Sequence, residues 1–312
     1  KDTRMNQHDI EILRPLAENY AELCAQPVME ERRDAWRSHN SFQGSQPLIY
    51  TRAFAFRELP QSQLACEGEL ARGLEAGLRR KLYWASLNDD SVFEPWYLLR
   101  PAFEMPPKGP WGFPRQWIEG QEAHGAKQND PPLKDPADAA KLAQPHHRIN
   151  EQATQSNLNE VQEAIGGILT LSVDRSPAYR NWTGDLSTEL FYLRGMDALM
   201  MDTFERPDWL HGVLAHMRDG VIQTHEEAET VGDWTLAAHE NQAMPYAQEL
   251  HDPRPDAPSV RRKDLWYFCA SQEWTLFGPQ QWDEFMFQYQ EAICRPFGLL
   301  AYGCCEDLTL KI

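Results

Sequence analysis

The residues best equipped for chemistry stand near the end of the chain, in Leu300-Ala301-Tyr302-Gly303-Cys304-Cys305-Glu306-Asp307. In an extended strand side chains alternate between faces, so Tyr302, Cys304 and Glu306 share one face and Gly303, Cys305 and Asp307 the other. Adjacent cysteines therefore make no obvious two-thiolate chelate. Cys304 with Glu306 is a soft-plus-hard pair that contributes to a zinc site when a further ligand completes it. His239, in His239-Glu240-Asn241 at the carboxyl end of a predicted strand, is the histidine assigned to it. The competing reading makes Cys304 and Cys305 small buried hydrophobes.

A second run, Phe268-Cys269-Ala270-Ser271-Gln272-Glu273-Trp274, also lies where a strand gives way to a helix. Glu273 suits a general base, a metal ligand or a substrate acceptor; the plainer role is a helix cap. No histidine neighbours Ser271 and no Gly-x-Ser-x-Gly elbow surrounds it, which disfavours a serine hydrolase. A third signal is Arg52 inside an otherwise apolar stretch, with Arg57 and Glu58 following. A charge there is paired with an acid or faces a polar cavity. Glu273, Tyr302 and Arg52 are read as catalytic. Arg57, Ser271, Gln272, Trp234 and Asn241 are read as substrate-binding. There is no His-Glu-x-x-His, no Cys-x-x-Cys and no glycine-rich phosphate loop. Among the eleven tryptophans, Trp96, Trp111, Trp117, Trp182 and Trp234 fall near predicted loops or strand ends, where they line a flat pocket or simply pack.

The elements that must position these residues follow from periodicity. Ile10, Leu13, Leu16, Tyr20 and Leu23 recur at helical spacing, and Met29–His39 is a charged second helix. Pro47–Phe56 reads as a buried first strand, Glu67–Ser86 as a helix and Val92–Leu99 as a strand. Residues 101–145, rich in Pro, Gly and Lys, form a long loop, either an insertion over a site or an excursion. Asn150–Ile168, Leu186–Phe204, Asp208–Val231 and Gln280–Arg295 are predicted helices. Leu169–Val173, Trp234–His239, Leu265–Ala270 and Phe297–Cys304 are predicted strands.

Strand-helix alternation points to an α/β fold with a parallel sheet. The expected architecture is a (β/α)8 TIM barrel over residues 41–312, with an N-terminal helical extension over 1–40. The strand candidates number about six where a closed barrel needs eight. Either residues 101–145 hold further strands or the last barrel units lie outside this chain. The composition, 42% hydrophobic over 312 residues, suffices for a large core. The net charge of −17 argues against nucleic acid and anionic membrane as partners. No window holds the ~18 unbroken apolar residues of a membrane span, and six cysteines are too few for a disulfide scaffold. A cytoplasmic protein is expected.

Leu193-Arg194-Gly195-Met196-Asp197 with Asp202, Pro207-Asp208-Trp209-Leu210-His211, and Gly278-Pro279-Gln280-Gln281-Trp282-Asp283-Glu284-Phe285 together resemble the uroporphyrinogen decarboxylase-like superfamily, which includes cobalamin-dependent methyltransferases. Tyr302-Gly303-Cys304-Cys305-Glu306 resembles the carboxyl-end motif of its decarboxylase-like branch. The resemblance runs from about Ala35 to the end and implies a (β/α)8 barrel. Two departures stand out. In Pro47-Leu48-Ile49-Tyr50-Thr51-Arg52-Ala53-Phe54-Ala55-Phe56, Arg52 matches the first arginine of the decarboxylase motif, but Phe56 replaces the second. Tyr302 stands where the zinc methyltransferases carry a histidine, with Cys304 at their cysteine.

The resemblance implies a corrinoid-dependent methyltransferase that moves a methyl group from a small methylated donor to a corrinoid protein, with zinc at the barrel mouth and the corrinoid carried by the partner. A cofactor-free decarboxylase of a tetrapyrrole or other acid is the alternative, and needs a cluster of arginines at the pocket. A non-enzymatic corrinoid- or tetrapyrrole-binding protein is the third reading. A homodimer is compatible with the sequence.

Overall fold

A computed structural model describes residues 5–44, 46–120 and 125–312. The first two helices form as the periodicity requires. In α1 (Gln7–Cys24) the Asn6 side chain accepts from the Asp9 backbone N–H at 2.7 Å, satisfying one of the open donors of the first turn. Leu13, Ala17, Tyr20 and Cys24 form its buried stripe. α2 (Val28–Asn40) buries only Met29 and Trp36. Asp9 is itself buried. Its carboxylate accepts from the N–H groups of Glu67 at 2.8 Å and Gly68 at 2.9 Å, where α3 (Glu69–Ser86) begins. One acid thus caps a neighbouring helix.

The sheet elements are short. β1 (Trp96–Leu99) and β4 (Thr170–Val173) run parallel, with Leu99 opposite Val173. β5 (Trp266–Cys269) and β6 (Leu299–Tyr302) form a second parallel pair, with Cys269 opposite Tyr302. β2 (Trp117–Ile118) and β3 (Gln128–Asn129) make a small antiparallel ladder. The fold is mixed α/β with small parallel sheets, as the alternation predicts. Among the described residues no helix is long and apolar enough to cross a membrane.

Two cores result. One joins α1, α2 and α3 to β1, β4 and α4 (Glu151–Ile165) through Leu13, Leu74, Leu78, Leu99, Val161 and Ile165. The other joins α5 (Ser187–Arg194), α6 (Met196–Glu205) and α7 (Pro207–Val231) to β5 and the closing helices. Those closing helices are α8 (Pro279–Trp282) and α9 (Gln288–Cys294), joined by a π-helical stretch, Asp283–Phe287.

Four expectations are corrected here. Pro47–Phe56 is not a buried strand: it has no ladder partner, Phe54 is 97% exposed, and the chain coils into a 3-10 turn over Phe54–Glu58. Its apolar run signals a cavity wall and not a sheet. Trp234–His239 is likewise no strand; its centre, Leu236–Ala238, is a 3-10 turn started by the Thr235 side chain. The predicted helix Leu186–Phe204 breaks at Gly195, whose φ of +79° lies where only glycine is comfortable. The predicted helix Gln280–Arg295 carries the π-helical stretch in its middle.

The long segment after β1 is a strap and not an excursion. Its Trp111 is 1% exposed and its Leu133 fully buried in the second core. Arg194, paired with buried Asp202, donates to the carbonyls of Leu133 at 2.9 Å and Lys134 at 2.7 Å. Pro145 lies against Gly220 of α7, where an added Cβ would stand 2.7 Å from its Cδ.

A buried charge cluster ties the two cores together. The Arg180 guanidinium reaches the Asp174 carboxylate just past β4, donates to the Ala238 carbonyl at 3.3 Å, and stands 3.4 Å from Glu240. The Asp174 N–H donates to Leu99 at the end of β1, and the Glu240 N–H to Trp266 at the start of β5. Burial pushes the Glu240 carboxyl up to about 7 although Arg180 opposes it, and Asp174 adds to the rise.

Because the folded carboxyl holds its proton more tightly than the unfolded one, its contribution is fully present below about pH 4.5 and is lost as pH rises through about 7. In Glu240→Gln that loss is absent. Melting curves should therefore show the variant gaining on the parent between about pH 5 and about pH 8. A difference that stays constant would mean the carboxylate is ionised throughout. Gly195→Ala should lower stability by about 1–2 kcal/mol in a denaturant titration, because alanine is strained at that φ and its Cβ would meet Pro131.

Candidate functional site

Two neighbouring places gather functional side chains. The first is a cavity of about 1090 Å³ between the Tyr50–Arg57 segment and α3. Ala76, Arg80 and Trp84, spaced four apart on α3, line it along one helical stripe. Arg52 and Arg57 line the facing side, and Phe54 and Phe56 add an apolar wall. The volume is at the upper end of small-molecule sites.

Arg52 is held by many contacts. Its guanidinium stacks 3.5 Å above the Tyr50 ring and 4.4 Å from Trp84. It donates to the Thr51 carbonyl at 2.6 Å and Ser91 Oγ at 3.0 Å, and Asp89 lies 3.9 Å away. Both sequence readings of Arg52 are met at once, since it has an acid partner and also faces a cavity. Arg57 and Arg80, by contrast, have no carboxylate within ion-pair distance among the described residues. Among the described residues no acidic side chain lines this cavity. The chain of net charge −17 thus concentrates three guanidiniums on one concave aromatic surface.

The second place is the carboxyl end of β5 and β6. Ser271 is fully buried; its Oγ accepts from the Trp282 indole at 2.8 Å and lies 3.1 Å from the Tyr302 hydroxyl. Tyr302 donates to Gln290 Oε1 at 2.5 Å, and the Gln290 amide donates to the carbonyls of Asp185 at 2.6 Å and Ala270 at 2.8 Å. Ser187 donates to Glu273 at 2.5 Å, and Gln272 to the same carboxylate at 3.3 Å. The Asp185 carboxyl is well above the usual range because it is buried, with Glu273 adding to the rise. Burial likewise holds the Tyr302 phenol protonated.

After Tyr302 the strand ends. Gly303, at φ +108°, turns the chain, so Tyr302, Cys304 and Glu306 do not share a strand face. Cys304 and Cys305 are exposed, which also removes their reading as buried hydrophobes. Glu306 turns back, accepting from the N–H groups of Ser271 at 2.7 Å and Cys304 at 2.8 Å. Although the residue is exposed, partial desolvation of its sulfur, with Cys305 and Glu306 adding to it, pushes the Cys304 thiol up to about 11.

The zinc set of Cys304, Glu306 and His239 is not brought together. His239 accepts from the Trp266 N–H at 3.1 Å through Nδ1, and its Nε2 lies 3.1 Å from the His251 carbonyl, so both ring nitrogens are engaged. Burial keeps it neutral, lowering its pKa to about 4. Both Glu306 oxygens hold backbone N–H groups. Among the described residues no three His, Cys, Asp or Glu side chains are grouped to hold a metal ion. Trp234 is buried in a satellite core with its indole on the His225 carbonyl, and Asn241 braces its own turn by accepting from the Ala243 N–H. Neither lines the cavity.

Of the residues expected to act together, Ser271, Gln272, Glu273, Tyr302 and Glu306 converge, while Arg52 and Arg57 line the cavity. Gln242 joins the two places. It lines the cavity, and its amide donates to the Gly303 carbonyl. Gln242, Arg80, Trp84 and Tyr50 escape sequence reasoning; the four-residue spacing of Ala76, Arg80 and Trp84 is the signal that could have found three of the wall residues. Comparison with protein-family models, with curated proteins and with solved structures finds no match for the chain.

Tyr302→Phe would leave Gln290 Oε1 buried without a donor, at a cost of about 1–3 kcal/mol. Chemical denaturation of the variant measures this, and an unchanged midpoint would show the hydroxyl to be dispensable.

Proposed function

We propose that the cavity binds a flat, carboxylated ligand and that the protein is a cofactor-free decarboxylase of a tetrapyrrole or other acid. The carrying observation is the set of Arg52, Arg57 and Arg80 on an aromatic wall that holds no acid. Planar guanidiniums pair with carboxylates through parallel hydrogen bonds, and Tyr50, Trp84 and Phe54 offer ring faces to a flat π system. Phe56 removes the second arginine of the sequence motif, but Arg57 and Arg80 restore the cations from a neighbouring position and from a helix. The parallel pairs β1–β4 and β5–β6 fit a (β/α)8 frame, and we read them as parts of one.

The chemistry follows from where charge must go. A carboxylate about to leave as CO2 loses its charge, so a guanidinium holding it would oppose the reaction. The arginines therefore anchor the carboxylates that remain. The leaving group faces the apolar side formed by buried Phe56 and by Ala76, where a charged ground state is poorly solvated. The carbanion left behind requires a proton. Tyr50 is the lining phenol under Arg52; burial raises its pKa, so it carries its proton at neutral pH. Methyl transfer to a corrinoid protein is the second reading, but two of its three polarising donors, Glu306 and His239, are engaged elsewhere.

Titration with a tetracarboxylated porphyrin, followed by tryptophan quenching, should give saturable binding that weakens with salt. Arg57→Ala and Arg80→Ala should each weaken it by about tenfold or more, as loss of a charge-assisted pair does. Mass analysis of the corresponding porphyrinogen after incubation should show loss of CO2, abolished in Tyr50→Phe with binding retained. Binding unaffected by either arginine variant would reject the ligand class, and binding without CO2 loss would reject the reaction.

A further inference from the structure

The two exposed thiols stand apart from the other four. Cys24, Cys66, Cys269 and Cys294 are buried, whereas Cys304 and Cys305 are exposed and their sulfurs lie 3.5 Å apart. They occupy the turn after β6, preceded by Gly303 at φ +108°. The turn is held from three sides. The Gly303 N–H donates to Cys269 at 3.0 Å, Gln242 donates to the Gly303 carbonyl, and Glu306 accepts from the Cys304 N–H at 2.8 Å. Through Gln242 the turn borders the arginine cavity.

We propose that Cys304 and Cys305 form a redox-active vicinal dithiol that exchanges with low-molecular-weight disulfides at the rim of the cavity. The sulfurs need to approach by about 1.5 Å to reach bonding distance. Adjacent Cα atoms are only about 3.8 Å apart, less than a relaxed disulfide spans. The ring is therefore strained, and strained, exposed disulfides are the readily reduced ones. Such a bond suits a reversible modification and not a structural staple. The glycine before the pair gives the backbone room to twist as the ring closes.

The exchange balances in two steps. One cysteine gives up its proton to solvent and its thiolate attacks the external disulfide, forming a mixed disulfide and releasing one thiolate of the reagent. Because the Cys304 thiol is pushed up to about 11, this step quickens as pH rises. The neighbouring cysteine thiolate then attacks the protein sulfur of that mixed disulfide, closing the ring and releasing the second thiolate. The protein loses two protons and two electrons, which the reagent disulfide takes up in becoming two thiols. None of this depends on what fills the cavity, so the test stands apart from that of the acid-binding reading.

The test uses the full chain, reduced, then incubated without oxygen with excess bis(2-hydroxyethyl) disulfide. Iodoacetamide is added under denaturing conditions, and intact and peptide masses are read. The expected product is a monomer with four of the six cysteines alkylated, the peptide holding Cys304 and Cys305 being unlabelled and lighter by two hydrogens. A reducing dithiol should restore all six sites. Cys304→Ser and Cys305→Ser, both exposed and not expected to disturb folding, should each stop at a stable mixed disulfide on the remaining cysteine. Six alkylated cysteines, a persistent reagent adduct in the parent chain, or an unlabelled pair mapping to Cys269 and Cys294 would each overturn the proposal.

Discussion

The position of one buried guanidinium governs how the halves of this molecule meet. Arg180 reaches Asp174 at the end of the first parallel pair and Ala238 and Glu240 beside the second. A buried cation is costly unless its hydrogen bonds are well made, so both strand pairs are constrained to present their acids and carbonyls to it. The cavity wall, Gln242 included, belongs to the α1–α3 half and the Gly303 turn to the other; the Gln242 amide bridges them. A protein held only by apolar packing across this boundary would have more freedom to slide.

Net charge and the charge inside the cavity differ in sign. A sum of −17 describes the whole surface, whereas recognition depends on the field inside one concavity. Acidic residues are spent on helix starts and ion pairs: Asp9 caps α3, Glu75 holds the N–H groups of Ala65 and Cys66 as well as Arg79, and Glu94 pairs with Arg33. With the acids so engaged, Arg57 and Arg80 face the cavity unopposed. Local positive potential inside an acidic protein favours capture of an anion there over indiscriminate binding elsewhere.

Helices were the most legible part of the chain. α1 and α3 follow from apolar spacing, α2 from its charged run, and α4 and α7 from their extents beginning at Asn150 and just after Pro207. Strand reading failed where an apolar run served another purpose. Ile49, Phe54 and Phe56 look like a core strand, yet only Phe56 is buried. Trp234, Leu236 and Ala238 alternate as a strand would, but Trp234 and Leu236 fill a satellite core from the start of a turn. The β5–β6 cluster was partly legible because Ser271, Glu273, Tyr302 and Glu306 all follow strand ends. The arginine cavity was legible on one wall, at Arg52 and Arg57, but not on the other, because it joins residues more than a helix apart in sequence and only the 76–80–84 stripe carries a local trace of the facing wall. Cys304 and Cys305 were seen, but strand alternation sent their side chains to opposite faces; the turn at Gly303 cancels that rule.

Gly220 leaves α7 bare where Pro145 and Trp111 lie against it. Even a methyl group there would lift the strap and let water reach an indole that is now dry. This stretch of helix and the segment lying on it are thus a matched pair of surfaces, free to diverge only in concert. The bare helix face, more than any side chain on it, decides how long a connection between β1 and β4, the two strands of the first parallel pair, the fold can carry.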